Sequence, residues 1–319
     1  MRIVFMGTPE FAVPSLEALL KSDDQVVGIV TQPDRPKGRG QVLTPPPVKL
    51  IAQREGIPFL QPAKIRVPEF LTALAAWKPD LIAVTAYGRI LHNPILTLPP
   101  MGCVNVHGSL LPKYRGAAPV QWAVINGEAE TGITTMMMDE GMDTGAMLLQ
   151  ESLPIFPEDT AGSLAPRLAA LGGRLLVETI ARLKAGTITP QPQNHALATL
   201  APPLKKGDGV IDWTTSASNI ANRVRGLSPW PGAYTYIGSE RWMVWSATQS
   251  PGKPDIVPGT IIEVTKQSIQ VATGDGVLAL KEIQPANSKR LTVMQYLAGH
   301  RVSTGQRFDA EPPLSELPA

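Results

Sequence analysis

The chain has 319 residues, 43% of them hydrophobic, and a formal net charge of +2. This length predicts two domains, and the small charge does not by itself indicate a nucleic-acid binder. No stretch approaches about 18 uninterrupted apolar residues, which argues against a membrane span. Cys103 is the only cysteine, so an intrachain disulfide is excluded, and the four histidines lack metal-ligand spacing. We therefore expect a cytoplasmic protein that binds no metal.

Strand-like and helix-like stretches alternate along the first half of the chain. Residues 1–7 predict a strand and show no export signal. The elements predicted next are a helix at 14–20, a strand at 25–31, a helix at 48–55, a short strand at 58–60, a helix at 68–77 and a strand at 80–87. This alternation is typical of the α/β class and predicts a doubly wound, mostly parallel sheet.

The first turn, Gly7-Thr8-Pro9-Glu10-Phe11-Ala12, lies where a dinucleotide-binding fingerprint would stand. It lacks the G-x-G-x-x-G pattern, whose glycines let the backbone approach a pyrophosphate. The sequence therefore argues against a nicotinamide or flavin dinucleotide. A ligand-lining turn and a plain structural turn both remain open.

Residues 32–47 form a long connection rich in glycine, proline and basic residues, and we predict a loop. Arg35, Lys37 and Arg39 outweigh Asp34, and cations on a loop suit contact with phosphates. The connection is also longer than is usual in a compact domain, which favours a function. The alternative is a solvated surface excursion.

Asn105 and His107 stand at the end of a predicted strand, just before Gly108. Side chains on a strand alternate faces, so these two point the same way. A carboxamide beside an imidazole suits stabilisation of an oxyanion and transfer of a proton. A polar strand end whose side chains only satisfy backbone groups is the competing interpretation.

A glycine-flanked loop at residues 138–145 contains Asp143, between strands predicted at 133–138 and 146–151. Its spacing does not match a calcium loop. Alone, Asp143 is typical of a turn. Together with Asn105 and His107, it would complete a set of amide, ring and carboxylate.

The composition changes after a long helix predicted at 160–184 that ends at Gly186. Residues 188–207 are rich in proline and lack periodicity, which indicates a linker. Beyond it, short strands with glycine turns predict a small β-barrel of the OB kind. We expect domains at 1–187 and 208–319, joined by this linker.

Three stretches together resemble the formyltransferases that use 10-formyltetrahydrofolate: Asn105 to Pro112, Tyr114 to Pro119, and Met138 to Gly145. Supporting matches lie at residues 7–12, 31–36, 38–40, 86–88, 211–213 and 229–231. Because they cover both predicted domains, the resemblance is greatest to the branch of the family that acts on methionyl-tRNA. It implies a Rossmann-like formyltransferase fold followed by a C-terminal barrel that binds tRNA.

The resemblance also implies roles for individual residues. Catalysis would fall to Asn105, His107 and Asp143. The residues expected to bind folate are Ser109, Leu110, Leu111, Pro112, Tyr87, Gly88, Ile90 and Asp139, with 86–91 and 138–143 as walls of the pterin pocket. The residues expected to contact tRNA are Arg35, Lys37, Arg39 and Lys206. The co-substrate would be 10-formyltetrahydrofolate and the partner methionyl-initiator tRNA, bound by a monomer without metal or membrane.

Three alternatives stay open. One is a formyltransferase for a small amine, such as a purine precursor or an amino sugar, although such an acceptor needs neither the basic loop nor the barrel. A second is a formyltetrahydrofolate hydrolase, which would use the same three residues. The third is a non-catalytic RNA-binding protein, which the intact Asn105, His107 and Asp143 oppose.

Overall fold

The computed structural model describes residues 1–38, 40–252 and 255–312. Arg39, one of the residues expected to contact tRNA, lies outside the described residues. The chain forms two compact units. The first consists of Met1–Pro119, Glu130–Pro154 and Ala165–Pro202, and the second of Val120–Ala129, Ile155–Leu164 and the chain from Pro203 onward.

A mixed sheet with strand order β5-β2-β1-β6-β7-β8-β9 forms the centre of the first unit. Its strands and those of a separate hairpin are β1 (Arg2–Gly7), β2 (Gln25–Val30), β3 (Arg35–Lys37), β4 (Val42–Thr44), β5 (Phe59–Leu60), β6 (Leu81–Thr85), β7 (Cys103–His107), β8 (Glu130–Met137) and β9 (Met147–Pro154). Neighbouring strands in the order β5-β2-β1-β6-β7 pair in parallel, whereas β8 and β9 add an antiparallel edge. The predicted doubly wound, mostly parallel sheet is confirmed.

The helices along the chain are α1 (Val13–Leu20), α2 (Pro47–Arg54), α3 (Pro68–Ala76), α4 (Asn93–Leu96), α5 (Pro119–Ile125), α6 (Ala161–Lys184), α7 (Ala217–Gly226) and α8 (Val293–Leu297). All five residues of β6 are buried, as expected for a parallel strand covered on both faces. One core cluster packs Ile82 and Val84 of this strand with Phe70 and Leu74 of α3.

Parallel pairing brings the carboxyl ends of β6 and β7 together. In this register Val84 is opposite Asn105, and Thr85 is opposite Val106. On the other side of β7, Asn105 is opposite Met136 of β8. Open α/β sheets bind ligands beyond the carboxyl ends of their strands. Strand pairing therefore places Asn105 and His107 at the edge where a ligand is expected.

Two segments differ in detail from the sequence-based expectation. Within residues 32–47, predicted as a loop, β3 and β4 form a short hairpin in which Arg35 pairs with Thr44 and Lys37 with Val42. Three-residue strands containing a proline give too weak an alternation for sequence patterning to detect. In the 188–207 stretch, Gln191 pairs with Met147, and two 3₁₀ turns occur at His195–Leu197 and Lys206–Gly209.

The second unit contains an antiparallel half-barrel sheet with the order β12-β13-β14-β11-β10-β16, and β15 pairs with β14. Its strands are β10 (Ala233–Ile237), β11 (Glu240–Ser250), β12 (Ile261–Val264), β13 (Ile269–Ala272), β14 (Val277–Pro285), β15 (Leu291–Thr292) and β16 (Phe308–Asp309). Trp242 is 1% exposed, and its ring contacts those of Tyr296 and Phe308. Aromatic packing thus fills this core, and the predicted C-terminal β-rich domain is confirmed.

Two kinds of feature are absent from the described residues. No helix in these ranges has the length and apolarity needed to cross a membrane. Within the same ranges, no group of three His, Cys, Asp or Glu side chains is arranged to hold a metal ion.

Candidate active site

His107, the last residue of β7, is almost fully enclosed, with 5% of its surface exposed. Its Nε2 lies 2.8 Å from the backbone oxygen of Tyr114. A carbonyl oxygen only accepts hydrogen bonds, so Nε2 carries a proton and donates it. Nδ1 lies 3.6 Å from Oδ1 of Asp143. Nδ1 is therefore the ring nitrogen that the Tyr114 carbonyl leaves unoccupied, and it faces a carboxylate.

The loop after β7 supplies the carbonyl that fixes this ring. Tyr114 adopts a positive φ of 61°. Its backbone N–H donates to the Thr199 hydroxyl at 2.9 Å, and the next N–H, of Arg115, donates to the Thr199 carbonyl at 2.8 Å. The segment around Thr199 thus holds the loop in place, and through it the ring of His107.

Asp143 lies in the loop between β8 and β9 with a φ of 55°. A residue other than glycine costs about 1–3 kcal/mol in this left-handed region, so its surroundings must hold it there. Its Oδ2 accepts the backbone N–H of Gly116 at 2.8 Å, while Oδ1 faces His107. One carboxylate oxygen is therefore anchored, and the other is directed at the ring.

Asn105 is half-buried on β7, two residues before His107. Its side chain and that of Asp143 line the same cleft. In the described part of the chain, no residue hydrogen-bonds the Asn105 carboxamide. Its N–H groups are therefore available to a ligand, unlike those of a polar strand end that only satisfies the backbone.

The cleft has a largely apolar wall. Its lining residues are Arg89, Ile90, Leu91, Asn105, Met136, Met138, Asp139, Gly141, Met142 and Asp143. Ile90 and Met142 are unusually exposed for apolar residues, at 59% and 51%. Methionines and isoleucine beside a few polar groups suit a flat heteroaromatic ligand. Two residues expected to bind folate, Ile90 and Asp139, lie on this cleft.

Asp139 has a local role as well. Its Oδ1 accepts from the backbone N–H of Gly141 at 3.0 Å and from the Thr144 hydroxyl at 2.6 Å. These bonds close the turn that leads to Asp143. The carboxylate therefore shapes one wall of the cleft from within its own loop.

Residues 109–112 are expected to bind folate but are not among the residues that line the cleft. Ser109 is fully buried, and its hydroxyl donates to the backbone oxygen of Lys113 at 2.6 Å. The N–H of Leu111 donates to the Thr134 hydroxyl at 3.0 Å. Leu110 and Pro112 are only partly exposed. The structure gives Ser109 and Leu111 internal partners, and folate contact by this stretch stays a prediction.

Tyr87 and Gly88, also expected near the folate, directly precede Arg89 and Ile90 of the cleft wall but are not among the lining residues. The Tyr87 hydroxyl is buried without a hydrogen-bond partner among the described residues, and burial raises the pKa of Tyr87 to about 12. Gly88 is exposed, with a φ of 80°. Gln32 supports this wall, because its Nε2 donates to the Tyr87 carbonyl at 3.1 Å and its Oε1 accepts from Arg89.

Two of the cations expected to contact tRNA lie on the β3–β4 hairpin. Arg35 and Lys37 are both exposed. At the base of the hairpin, Lys49 pairs with Asp34 at 2.7 Å, and a hydrogen bond from Gln61, together with Lys49, lowers the pKa of Asp34. A third of these four cations, Lys206, is exposed in the second unit.

Sequence reasoning did not identify two residues of the site. The Tyr114 carbonyl is a backbone atom, which no side-chain pattern reveals, although Tyr114 lies in a stretch that carried the resemblance. Gln193 contacts the Asp143 loop at 2.9 Å from within the stretch interpreted as a linker. That proline-rich stretch has no periodicity, so no sequence pattern points to this residue.

Comparison with known families matches most of the chain. The model described as "Formyl transferase" matches residues 1–180, and the model described as "Formyl transferase, C-terminal domain" matches residues 203–301. A methionyl-tRNA formyltransferase from Desulfotalea psychrophila is 55% identical over 95% of this chain and 94% of its own. Another methionyl-tRNA formyltransferase, from Acetivibrio thermocellus, is 50% identical over 96% of this chain and 99% of its own.

Solved structures show the same fold at low identity. WlaRD, a sugar 3N-formyltransferase crystallised with dTDP and 5-N-formyl-THF, is 18% identical with a TM-score of 0.66, over 91% of this chain and 99% of its own. HypX from Aquifex aeolicus, in complex with tetrahydrofolic acid, is 16% identical with a TM-score of 0.58, over 96% and 50%.

Proposed function

Because this chain belongs to the formyltransferase family, and within it to the methionyl-tRNA formyltransferases, we propose that Asn105, His107 and Asp143 form its formyl-transfer site. The enzyme transfers the formyl group of 10-formyltetrahydrofolate to the α-amine of methionyl-initiator tRNA, which serves translation initiation. One observation carries the site assignment: the Asn105 carboxamide and Asp143 line one cleft, with the free nitrogen of His107 3.6 Å from Asp143.

The cleft fits the donor chemically. Its apolar wall suits a flat pterin ring, and family neighbours of the same fold have been crystallised with folate derivatives. Asn105 and Asp143 supply polar groups to the same cleft. We propose that the pterin lies against Ile90 and the methionines, so that the formyl carbon reaches these two residues. No metal takes part in the proposed reaction.

We assign to Asn105 the stabilisation of the negative charge that develops during transfer. When the amine attacks the formyl carbon, electrons move onto the formyl oxygen. The Asn105 carboxamide, to which no described residue hydrogen-bonds, can donate to that oxygen, and one such donor lowers a barrier by about 3–4 kcal/mol. His107 does not supply a second donor through Nε2, because that N–H is bonded to the Tyr114 carbonyl.

We assign the transfer of the proton to His107 and Asp143. The new C–N bond forms at the α-amine, the bond from the formyl carbon to N10 breaks, and one proton must pass from the amine to N10. Nδ1 of His107 and the nearby Asp143 carboxylate can share such a proton between them. We propose that this pair takes the proton from the amine and returns it to the leaving nitrogen.

We assign binding of the tRNA acceptor to cations in two regions of the chain. We propose that Arg35 and Lys37 on the hairpin, with Arg39, contact the tRNA backbone, and that Lys206 does so in the second unit. The division into a catalytic domain at 1–187, a linker at 188–207 and a tRNA-binding domain at 208–319 belongs to this proposal. So do a monomeric state and a cytoplasmic location, where translation begins.

Product analysis tests the acceptor and the alternatives together. The purified protein is incubated with 10-formyltetrahydrofolate and either methionyl-initiator tRNA, free methionine or no amine. Formyl-methionine esterified to tRNA, lost in an Asp143→Asn variant, is the expected result. Formate released without an amine would indicate the hydrolase, and formylation of free methionine at an equal rate would indicate a small-amine enzyme.

A further inference from the structure

Gln193 contacts both loops that surround the ring of His107. It lies in the 188–207 stretch and is 6% exposed. We propose that Gln193 is a positioning residue for Asp143, and that it links the buried Arg115 to the backbone of the Asp143 loop. The inference rests on the proposed catalytic role of Asp143.

The orientation of the Gln193 carboxamide follows from its partners. Nε and Nη2 of Arg115 donate to Oε1 at 3.0 and 2.7 Å. Nε2 donates to the backbone oxygens of Asp143 at 2.9 Å and Gly145 at 2.8 Å. A guanidinium only donates and a carbonyl only accepts, so the amide cannot be flipped. Both N–H groups and the oxygen of this side chain are therefore occupied.

Arg115 makes this link strong. It is 7% exposed, and its side-chain acceptors among the described residues are neutral: Oε1 of Gln193, and Nδ1 of His195 at 3.1 Å. Hydrogen bonds from a charged donor are roughly twice as strong as neutral ones. The carboxamide is thus fixed at its oxygen end by a buried cation, and its nitrogen end holds the loop.

The Asp143 loop has a backbone that needs such support. Asp143 holds a φ of 55°, which is unfavourable for an aspartate. The two donations from Gln193 reach this residue and the second residue beyond it. Two residues before Gln193, the N–H and C=O of Gln191 bond those of Met147 at 2.8 Å each, which sets the register of the segment.

Neighbouring residues of the same segment hold the loop after β7. The N–H of Ala201 donates to the Arg115 carbonyl at 2.7 Å, and Thr199 bonds the N–H groups of Tyr114 and Arg115. The segment is therefore connected to the carbonyl that orients His107 and to the loop that carries Asp143. Disturbing this segment is therefore expected to change the geometry of the reacting groups and not the substrate affinity.

Gln193→Glu removes both donations to the Asp143 loop and sets a carboxylate oxygen against the two carbonyls that accepted them. The glutamate still accepts from Arg115, as a buried ion pair, but has no N–H groups for the carbonyls of Asp143 and Gly145. We expect kcat to fall roughly 10- to 100-fold, as misplacement of a reacting group by about 1 Å produces. KM for both substrates should stay within about twofold. Gln191→Glu, on an exposed side chain of the same segment, is the matched control and should retain the wild-type kcat.

A double-mutant cycle with Asp143→Asn separates the possible failures. If Gln193 acts through Asp143, the double variant is no slower than Asp143→Asn alone. Additive losses would mean a general structural role and would overturn the proposal, as would a wild-type kcat for Gln193→Glu. If Asp143→Asn itself keeps kcat, the site assignment falls, and the positioning role with it. Should Gln193→Glu fail to fold, Gln193→Met, which also lacks the donors, is tested with the same expectations.

Discussion

The end of β7 and the β3–β4 hairpin are built in opposite ways. His107 is 5% exposed, with Nε2 bonded to a carbonyl and Nδ1 facing Asp143, whereas Arg35 and Lys37 are exposed on a ribbon of three residue pairs. Val42 and Leu43 of that ribbon are 66% and 63% exposed. The difference matches the two tasks. Group transfer needs atoms fixed to about 0.5 Å, while attraction of phosphates needs only charge within reach.

Removal of the Asn105 carboxamide, at the end of β7, should lower kcat more than any other change. We expect Asn105→Ala to lower kcat roughly 100- to 1,000-fold, because a donor to the developing oxyanion is lost. Folate binding and the thermal midpoint should change little, since no described residue bonds this side chain. Steady-state kinetics with methionyl-tRNA and a thermal melt measure these quantities. A folded Asn105→Ala enzyme with near-normal turnover would falsify the assignment.

A pair of glycine variants contrasts the two regions. In Gly145→Ala the added Cβ would overlap the Met137 carbonyl oxygen, so the backbone beside Asp143 must shift. We expect a stability loss of about 2–4 kcal/mol and a lower kcat. In Gly38→Ala, on the hairpin, φ is +73° but the Cβ meets no atom within 4 Å. Only local strain is expected there, with kcat preserved. Equal losses of stability and of kcat in the two variants would contradict this contrast.

Charge removal from the hairpin should act on the acceptor alone. For the double variant Arg35→Ala/Lys37→Ala we expect KM for tRNA to rise about tenfold, and log(kcat/KM) to depend less steeply on log salt by about 1.4–1.8, if each cation neutralises one phosphate. KM for folate should not change. Lys21→Ala removes an exposed cation elsewhere in the first unit as the control. A matching rise in the folate KM would mean that the hairpin supports the cleft.

The smallest effect is expected at Tyr87, which is buried in the core and is not among the residues that line the cleft. Its hydroxyl is buried without a partner among the described residues, which costs folding free energy. Tyr87→Phe should therefore raise stability by up to about 1 kcal/mol and leave KM for folate within twofold. Thermal melts and folate titration provide the measurements. A weaker folate affinity would show instead that the hydroxyl reaches the ligand, as the resemblance implied.

Much of the site was accessible from sequence because its chemistry is carried by side chains in local patterns. Asn105 and His107 share a face since a strand has a period of two, and continuous apolar runs such as 81–85 predict a buried parallel sheet. The hairpin was missed, because three-residue strands with a proline leave too weak an alternation.

What the sequence by itself determined about this protein is its α/β and β-rich organisation, its family, and the identity of its candidate catalytic side chains. Only the tertiary structure decided which ring nitrogen of His107 is free, since a backbone carbonyl takes the other. It also decided that Gln193 holds the Asp143 loop across 50 residues of chain. Such bonds depend on where the backbone returns in space, and residue type and spacing along the chain do not encode that.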